Sequence, residues 1–202
     1  MTRPRGVILD RDGTLIDMVR DEEGGFLTPA FHPSQLRLLP GVIEGLLLLR
    51  DAGFAFALAT NQPGPAKGQY SLAAMARTNA ALVELLAAQG ITLAAVEACT
   101  HHPEGGPGGD PQLIRPCDCR KPQPGMLLSA MARTGLAPGD TWMVGDSSAD
   151  LGAGRAAGVR VGLLFTTRDR CDLCPLRGGP PGSPDLVAAR FDDLARAIIA
   201  AH

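Results

Sequence analysis

Nowhere does the sequence contain about 18 uninterrupted apolar residues, so no segment reads as a membrane-crossing helix. A positive balance is also missing. Lys+Arg 19 against Asp+Glu 21 leaves a net charge of -2, which provides no global field to gather nucleic acid or anionic membrane, so any phosphate site has to be local. Aromatic residues are scarce, 4% with a single Trp and a single Tyr, against 45% hydrophobic residues, which describes an Ala/Leu/Gly-rich globular protein. Cysteine is too sparse and too oddly numbered for a disulfide framework: the five, mostly paired at short spacings, fit metal ligation in a reducing compartment. The N-terminal residues pass directly into the strand-like run at 7–9, and no internal repeat is visible. These features predict a cytoplasmic chain folded as one domain over 1–202.

What is present is alternation. Apolar runs at 7–9, 54–59 and 141–145 end in polar residues, Asp10, Thr60 with Asn61, and Asp146. That is where open parallel α/β sheets place their ligand sites. Helical patterns at 42–50, 72–88 and 125–133 separate the runs, and 94–99 and 159–165 complete about five strands. In the second helix Leu72, Met75, Ala76, Leu82, Val83 and Leu86 form an apolar stripe that Asn79 interrupts. A closing helix over 191–200 packs Leu194, Ile198 and Ile199 inward. The predicted fold is Rossmann-like, a three-layer α/β/α arrangement on a mostly parallel sheet. Gly/Pro-rich loops at 17–34, 103–116 and 167–184 are long enough to expect function in them.

Asp10-Arg11-Asp12-Gly13-Thr14 sets two carboxylates two residues apart after a strand, with Gly13 free to turn the backbone. An acidic turn would read the same way. A calcium loop would need further oxygen ligands, which Leu-Ile-Asp-Met-Val after Thr14 does not supply. Asp146, in "GDSSAD", also suits a helix cap, and Asp150 is either support for a site or a surface charge. Cys99-Thr100-His101 and Cys117-Asp118-Cys119, joined by a Gly/Pro-rich loop, form a structural zinc pattern over 99–119. Reduced thiols without a role are the plainer reading.

Taken in order, Asp10-Arg11-Asp12-Gly13-Thr14, Thr60-Asn61-Gln62, Lys121 in "CRKP" and Gly145-Asp146 resemble the four motifs of the haloacid dehalogenase superfamily. "CTHHPEG" and "CDCRKPQPGM" resemble its heptose 1,7-bisphosphate 7-phosphatases and the related histidinol-phosphatase domains. The resemblance implies a Mg²⁺-dependent phosphomonoesterase with Asp10 as nucleophile, forming an aspartyl-phosphate, and Asp12 as general acid and base. Thr60 and Lys121 would hold the transferring phosphoryl group, and Asp10, the Asp12 carbonyl and Asp146 would hold Mg²⁺. Asn61, Gln62 and Arg120 are the expected substrate-binding residues, Arg120 for a second phosphate. The family favours His101 over His102 as the ligand that joins Cys99, Cys117 and Cys119 on Zn²⁺. No large cap domain is expected, because a loop, a helix and a strand account for 15–60.

Two departures stand out. Relatives commonly read Thr-Asn-Gln-Ser-Gly-Ile-Ala-Arg-Gly where this chain has "TNQPGPAKG", and "RDRCDLCPLRGG" adds Cys171 and Cys174. That pair reads as exposed thiols, with half a zinc site or a redox pair as alternatives. The expected partner is a small sugar phosphate taken by a monomer, with neither nucleic acid nor membrane involved. A histidinol-phosphate phosphatase and a non-catalytic zinc-stiffened binding module are the rival functions. A nucleic-acid 3′-phosphatase would need a basic groove, for which the net charge offers little support.

Overall fold

The computed structural model describes residues 4–20, 25, 27–165 and 183–202, so the expectations for Cys171 and Cys174 lie outside the described residues. The chain starts with β1 (Arg5–Leu9) and a small antiparallel hairpin, β2 (Val19–Arg20) and β3 (Leu27–Thr28). It continues through α1 (Val42–Asp51), β4 (Phe54–Asn61), α2 (Leu72–Ala87), β5 (Leu93–Cys99) and α3 (Gly125–Thr134). The remainder is β6 (Thr141–Gly145), α4 (Ser148–Ala156), β7 (Arg160–Leu164), β8 (Leu186–Ala188) and α5 (Phe191–Ala200).

Six strands form one sheet in the order β5-β4-β1-β6-β7-β8, and each neighbouring pair is parallel. Because side chains alternate across a strand, β1 sends Val7 and Leu9 to one face and Ile8 to the other, all with no exposed surface. On the first face they meet Leu46 and Leu49 of α1, Leu82 and Leu86 of α2, and Leu194 and Ile198 of α5. On the second face Ile8 joins Leu127, Ala130 and Met131 of α3 and Leu151 and Ala153 of α4. The layers are therefore α/β/α, as the alternation predicts.

The sequence pattern is revised in three places. A sixth strand, β8, pairs with β7 through Gly162–Leu186 and Leu163–Val187; its three residues are too short to carry a periodic signal. The 17–34 loop holds the β2–β3 hairpin at its centre. In α2 the stripe is misassigned at its start, since Leu72 is 44% exposed while Thr78 and Asn79 are buried. At Asn79 the inward face meets a buried charge, while Leu82 and Leu86 complete its apolar part.

Candidate active site

Parallel strands end together, so β1, β4 and β6 deliver Asp10, Thr60 and Asp146 to one edge of the sheet. The backbone carries the alignment one residue further, with Asp10 N donating to Val144 O at 2.9 Å. A cavity of about 1000 Å³ opens there, and its lining includes Asp10, Asp12, Thr14, Thr60, Asn61, Lys121 and Asp146. Gly13 makes this convergence feasible. Its φ of +81° lies in the left-handed region, and a Cβ on it would come within 2.1 Å of Asp146 Oδ2.

Lys121 arrives from the end of the 99–119 loop and is 3% exposed. Its Nζ donates to Asp10 Oδ1 at 2.6 Å, Asp150 Oδ1 at 2.6 Å and Ala59 O at 2.7 Å, which uses all three ammonium hydrogens. Burial opposes the charge on Lys121, but Asp10 and Asp150 outweigh it and hold the ammonium above the ordinary lysine range. The same burial pushes Asp10 up to about 7, against the pull of Lys121 and with Asp150 adding to the rise. Asp146 is pushed up to about 8 by burial and then by Asp150 and Asp10. Oxygens of Asp10, Asp146 and Asp150 all lie within 4.8 Å of one another. Three clustered carboxylates facing one ammonium form a set of hard oxygen donors that a divalent cation would balance.

Asp150 is fully buried, so the surface-charge reading of it is excluded. Its Oδ2 accepts from Ser147 N at 3.0 Å and from the Ser147 hydroxyl, which caps α4 while Oδ1 holds Lys121. The Thr60 hydroxyl accepts from Gln62 Nε2 at 2.9 Å, leaving its own hydrogen to point at an oxygen in the cavity. Thr14 Oγ1 is buried on the same lining without a hydrogen-bond partner among the described residues.

Gln62 does not line the cavity. It has no exposed surface; Nε2 donates to Asp12 Oδ2 at 2.7 Å and to Thr60, and Oε1 accepts from Tyr70 and Arg11. Its amide is saturated by protein, which corrects the expected substrate contact. Asn61 lines the cavity, but its Oδ1 accepts from Lys121 N and its Nδ2 donates to Lys121 O, both at 3.0 Å. The amide thus fixes the lysine backbone. Arg120 stands off the cavity lining, with Nη1 3.5 Å from His101 O. The sequence reading missed Arg11, which grips Asp12, and Asn79 and Tyr70, which bond to Arg11 and Gln62 behind it; Asn79 had signalled itself only as a polar break in an apolar stripe.

The second cluster lies behind Lys121. Cys99 Sγ is 3.6 Å from Cys117 Sγ and 3.0 Å from Cys119 Sγ, the latter two sulfurs are 3.4 Å apart, and His101 Nδ1 is 3.3 Å from Cys119 and 3.8 Å from Cys99. Four donors gathered within 4.8 Å of one another could hold a metal ion, and three thiols with one imidazole are a donor set that suits zinc. His102 turns away, and its Nδ1 accepts from the amides of Glu104 and Gly105. The loop also presses on the segment after Gln62: Asp110 N donates to Pro65 O at 3.0 Å, and a Cβ on Gly109 would meet Ala66 O at 1.9 Å.

The comparisons with known proteins agree with this geometry. Residues 118–194 match the HAD-hydrolase-like family. The chain is 36% identical over 189 residues to the D-glycero-β-D-manno-heptose-1,7-bisphosphate 7-phosphatase of Pseudomonas aeruginosa, covering 94% of this chain and 93% of that protein. It is 32% identical over 192 residues to the protein of the same name from Escherichia coli K12, covering 95% and 92%. Among solved structures, the D,D-heptose 1,7-bisphosphate phosphatase of B. bronchiseptica, complexed with magnesium and phosphate, superposes with a TM-score of 0.74 at 29% identity, covering 98% of this chain and 99% of that one. A strand-end carboxylate paired with a buried lysine, on this sheet and with these relatives, makes the chain a phosphatase that belongs to the haloacid dehalogenase superfamily, in the family of the heptose-1,7-bisphosphate 7-phosphatases.

Proposed function

We propose that the chain removes the 7-phosphate of D-glycero-D-manno-heptose 1,7-bisphosphate through an aspartyl-phosphate on Asp10. The observation that carries this reading is the contact of 2.6 Å between Lys121 Nζ and Asp10 Oδ1 inside a cavity wide enough for a sugar phosphate. Two anions repel as a carboxylate nears a phosphate ester, and a lysine already seated on the attacking oxygen's partner lowers that repulsion. Asp10 Oδ2 attacks phosphorus, and the P–O bond to the sugar breaks. Asp12, which lines the cavity, gives its proton to the departing alkoxide. In the second half-reaction Asp12 takes a proton from water, and the water oxygen attacks phosphorus to free inorganic phosphate and restore Asp10. Thr60 donates to a phosphoryl oxygen.

Asp10, Asp146 and the Asp12 carbonyl are assigned to Mg²⁺, which when bound screens the charge that accumulates on the phosphoryl group. The donor set fits, since burial of three carboxylates beside one ammonium leaves negative charge to be neutralised. Zn²⁺ is assigned to Cys99, His101, Cys117 and Cys119, where four protein ligands leave no open position and the role is to brace the loop that carries Arg120 and Lys121. The second phosphate is assigned to Arg120, whose guanidinium has a single long contact among the described residues to give up.

A panel of phosphate esters with Mg²⁺ tests the reading. The heptose bisphosphate is expected to give the highest kcat/KM, and Asp10→Asn is expected to abolish turnover with folding and zinc content retained. A preference for histidinol phosphate, or full activity in Asp10→Asn, would overturn it.

A further inference from the structure

Asn79 lies on α2, remote in sequence from every motif of the site, yet it is buried among residues that otherwise pack hydrophobically. A buried amide in such a place is costly unless it is hydrogen-bonded. Its Oδ1 accepts from Arg11 Nη1 at 2.6 Å. Arg11 itself has no exposed surface. Its Nε and Nη2 grip the two oxygens of Asp12 at 3.0 and 3.1 Å, and Nη2 also reaches Ala30 O at 2.7 Å and Gln62 Oε1 at 3.0 Å.

Arg11 and Asp12 are adjacent in the chain, and two neighbouring side chains on a turn have many ways to miss each other. The guanidinium is a rigid planar fork, so its direction is set once its remaining donors are anchored. Those anchors come from three separate parts of the fold: Asn79 on α2, Ala30 after the β2–β3 hairpin and Gln62 after β4. Asp12 then accepts four hydrogen bonds, two from Arg11, one from Gln62 Nε2 at 2.7 Å and one from Ala30 N at 3.2 Å. Tyr70 secures Gln62 in turn, donating to Oε1 at 2.9 Å while its ring stacks on Phe31 with centroids 5.4 Å apart.

We propose that Asn79 is a positioning residue, which through Arg11 fixes the direction in which the Asp12 carboxylate meets the leaving oxygen of the substrate. The proposal rests on the reading of Asp12 as general acid and base. It predicts an effect that depends on the leaving group. In the first half-reaction a sugar alkoxide needs a proton as it departs, whereas p-nitrophenolate leaves as a stable anion, so kcat/KM, which reports that half-reaction and not the shared hydrolysis of the aspartyl-phosphate, falls only for the former when the acid points the wrong way.

The experiment compares kcat/KM of the purified 202-residue protein with Mg²⁺ on an alkyl sugar phosphate and on p-nitrophenyl phosphate. Asn79→Leu is expected to lower kcat/KM on the sugar phosphate by about 10- to 100-fold, a fraction of what general acid catalysis supplies. On p-nitrophenyl phosphate kcat/KM should fall about 3-fold or less by the same reasoning, whereas kcat on both substrates also carries the water-activating step that Asp12 serves. Asn79→Asp, which keeps an acceptor for Arg11, should recover most of the difference. Equal losses on both substrates, or none on either, would overturn the proposal, because a merely structural role does not discriminate between leaving groups. If Asn79→Leu does not fold by circular dichroism, Tyr70→Phe removes a single hydroxyl from the same network and should give the same bias at smaller size; an equal fall on both substrates again overturns it. Asp12→Asn serves as reference. Should it show no leaving-group bias, the assignment of Asp12 fails and the proposal with it, whereas bias in Asp12→Asn without bias in Asn79→Leu sinks the proposal alone.

Discussion

Lys121 Nζ donates to Asp150 Oδ1 at 2.6 Å, and the two side chains are 2% and 1% exposed. Asp150 therefore serves two buried groups at once, the ammonium and the Ser147 amide at the start of α4. Asp150→Ala would leave part of a buried charge uncompensated and a helix end uncapped. A loss of about 3–5 kcal/mol in unfolding free energy is expected, measured by urea denaturation. Asp150→Asn keeps an acceptor and should lose less. A change within about 0.5 kcal/mol, the size typical of surface substitutions, would show that the pair contributes nothing.

Acidity and metal should be coupled. Asp10 and Asp146 carry folded-state values of about 7 and about 8, both raised from 3.8 chiefly by burial. A carboxyl raised on folding contributes stability that is complete below its unfolded value and is lost as pH rises through its folded value. Metal-free protein should therefore melt at lower temperature at pH 8.5 than at pH 5.5, both chosen to bracket those two values. Excess Mg²⁺ should restore the melting temperature at pH 8.5 and act weakly at pH 5.5, since the ligands must lose protons to bind it. Scanning calorimetry with chelator and with Mg²⁺ reads both effects, and a Mg²⁺ response independent of pH would contradict them.

Arg120 borders Lys121 but takes no part in the network around Asp10. Arg120→Ala is expected to raise KM for the bisphosphate by about 10- to 100-fold, the worth of a hydrogen bond between charged groups. It should alter kcat little, and a monophosphate lacking the second anion should be nearly indifferent. Steady-state kinetics on the two substrates decides this, and equal effects on both would remove Arg120 from substrate recognition.

Loss of Cys117 should be felt at a distance. The cysteine cluster is tied to the site through the paired Asn61–Lys121 hydrogen bonds and through the backbone contact of 109–110 with 65–66. Cys117→Ser is expected to release zinc, read by elemental analysis, and to lower kcat by about 10-fold or more, as misplacement of a positioned group does. Undiminished turnover in zinc-free protein would refute the bracing role.

Much of this was written in the chain's local patterns. Apolar runs closed by Asp10, Thr60 and Asp146 announce buried parallel strands whose ends carry polar groups, and the spacing of Cys99, His101, Cys117 and Cys119 announces that the four gather in one cluster. Those signals are legible because strand burial and ligand spacing each impose a short repeat or offset on neighbouring residues. What escaped was β8, too brief to show a period, and position 79 on the inward face of α2, where a buried cation across the fold takes an amide in place of leucine.

By itself the sequence determined the strand–helix alternation, the residues available for chemistry and the ligands that share a loop. Tertiary structure alone decided how they act on one another: that Asp150 holds Lys121, that Gln62 faces Asp12 instead of the cavity, and that Asn79 reaches Arg11 over 68 positions of chain. The division follows from range. Propensity and periodicity are properties of adjacent residues, whereas the direction of a buried hydrogen bond and the charge state of a carboxylate depend on whichever groups the packed fold brings within a few ångströms.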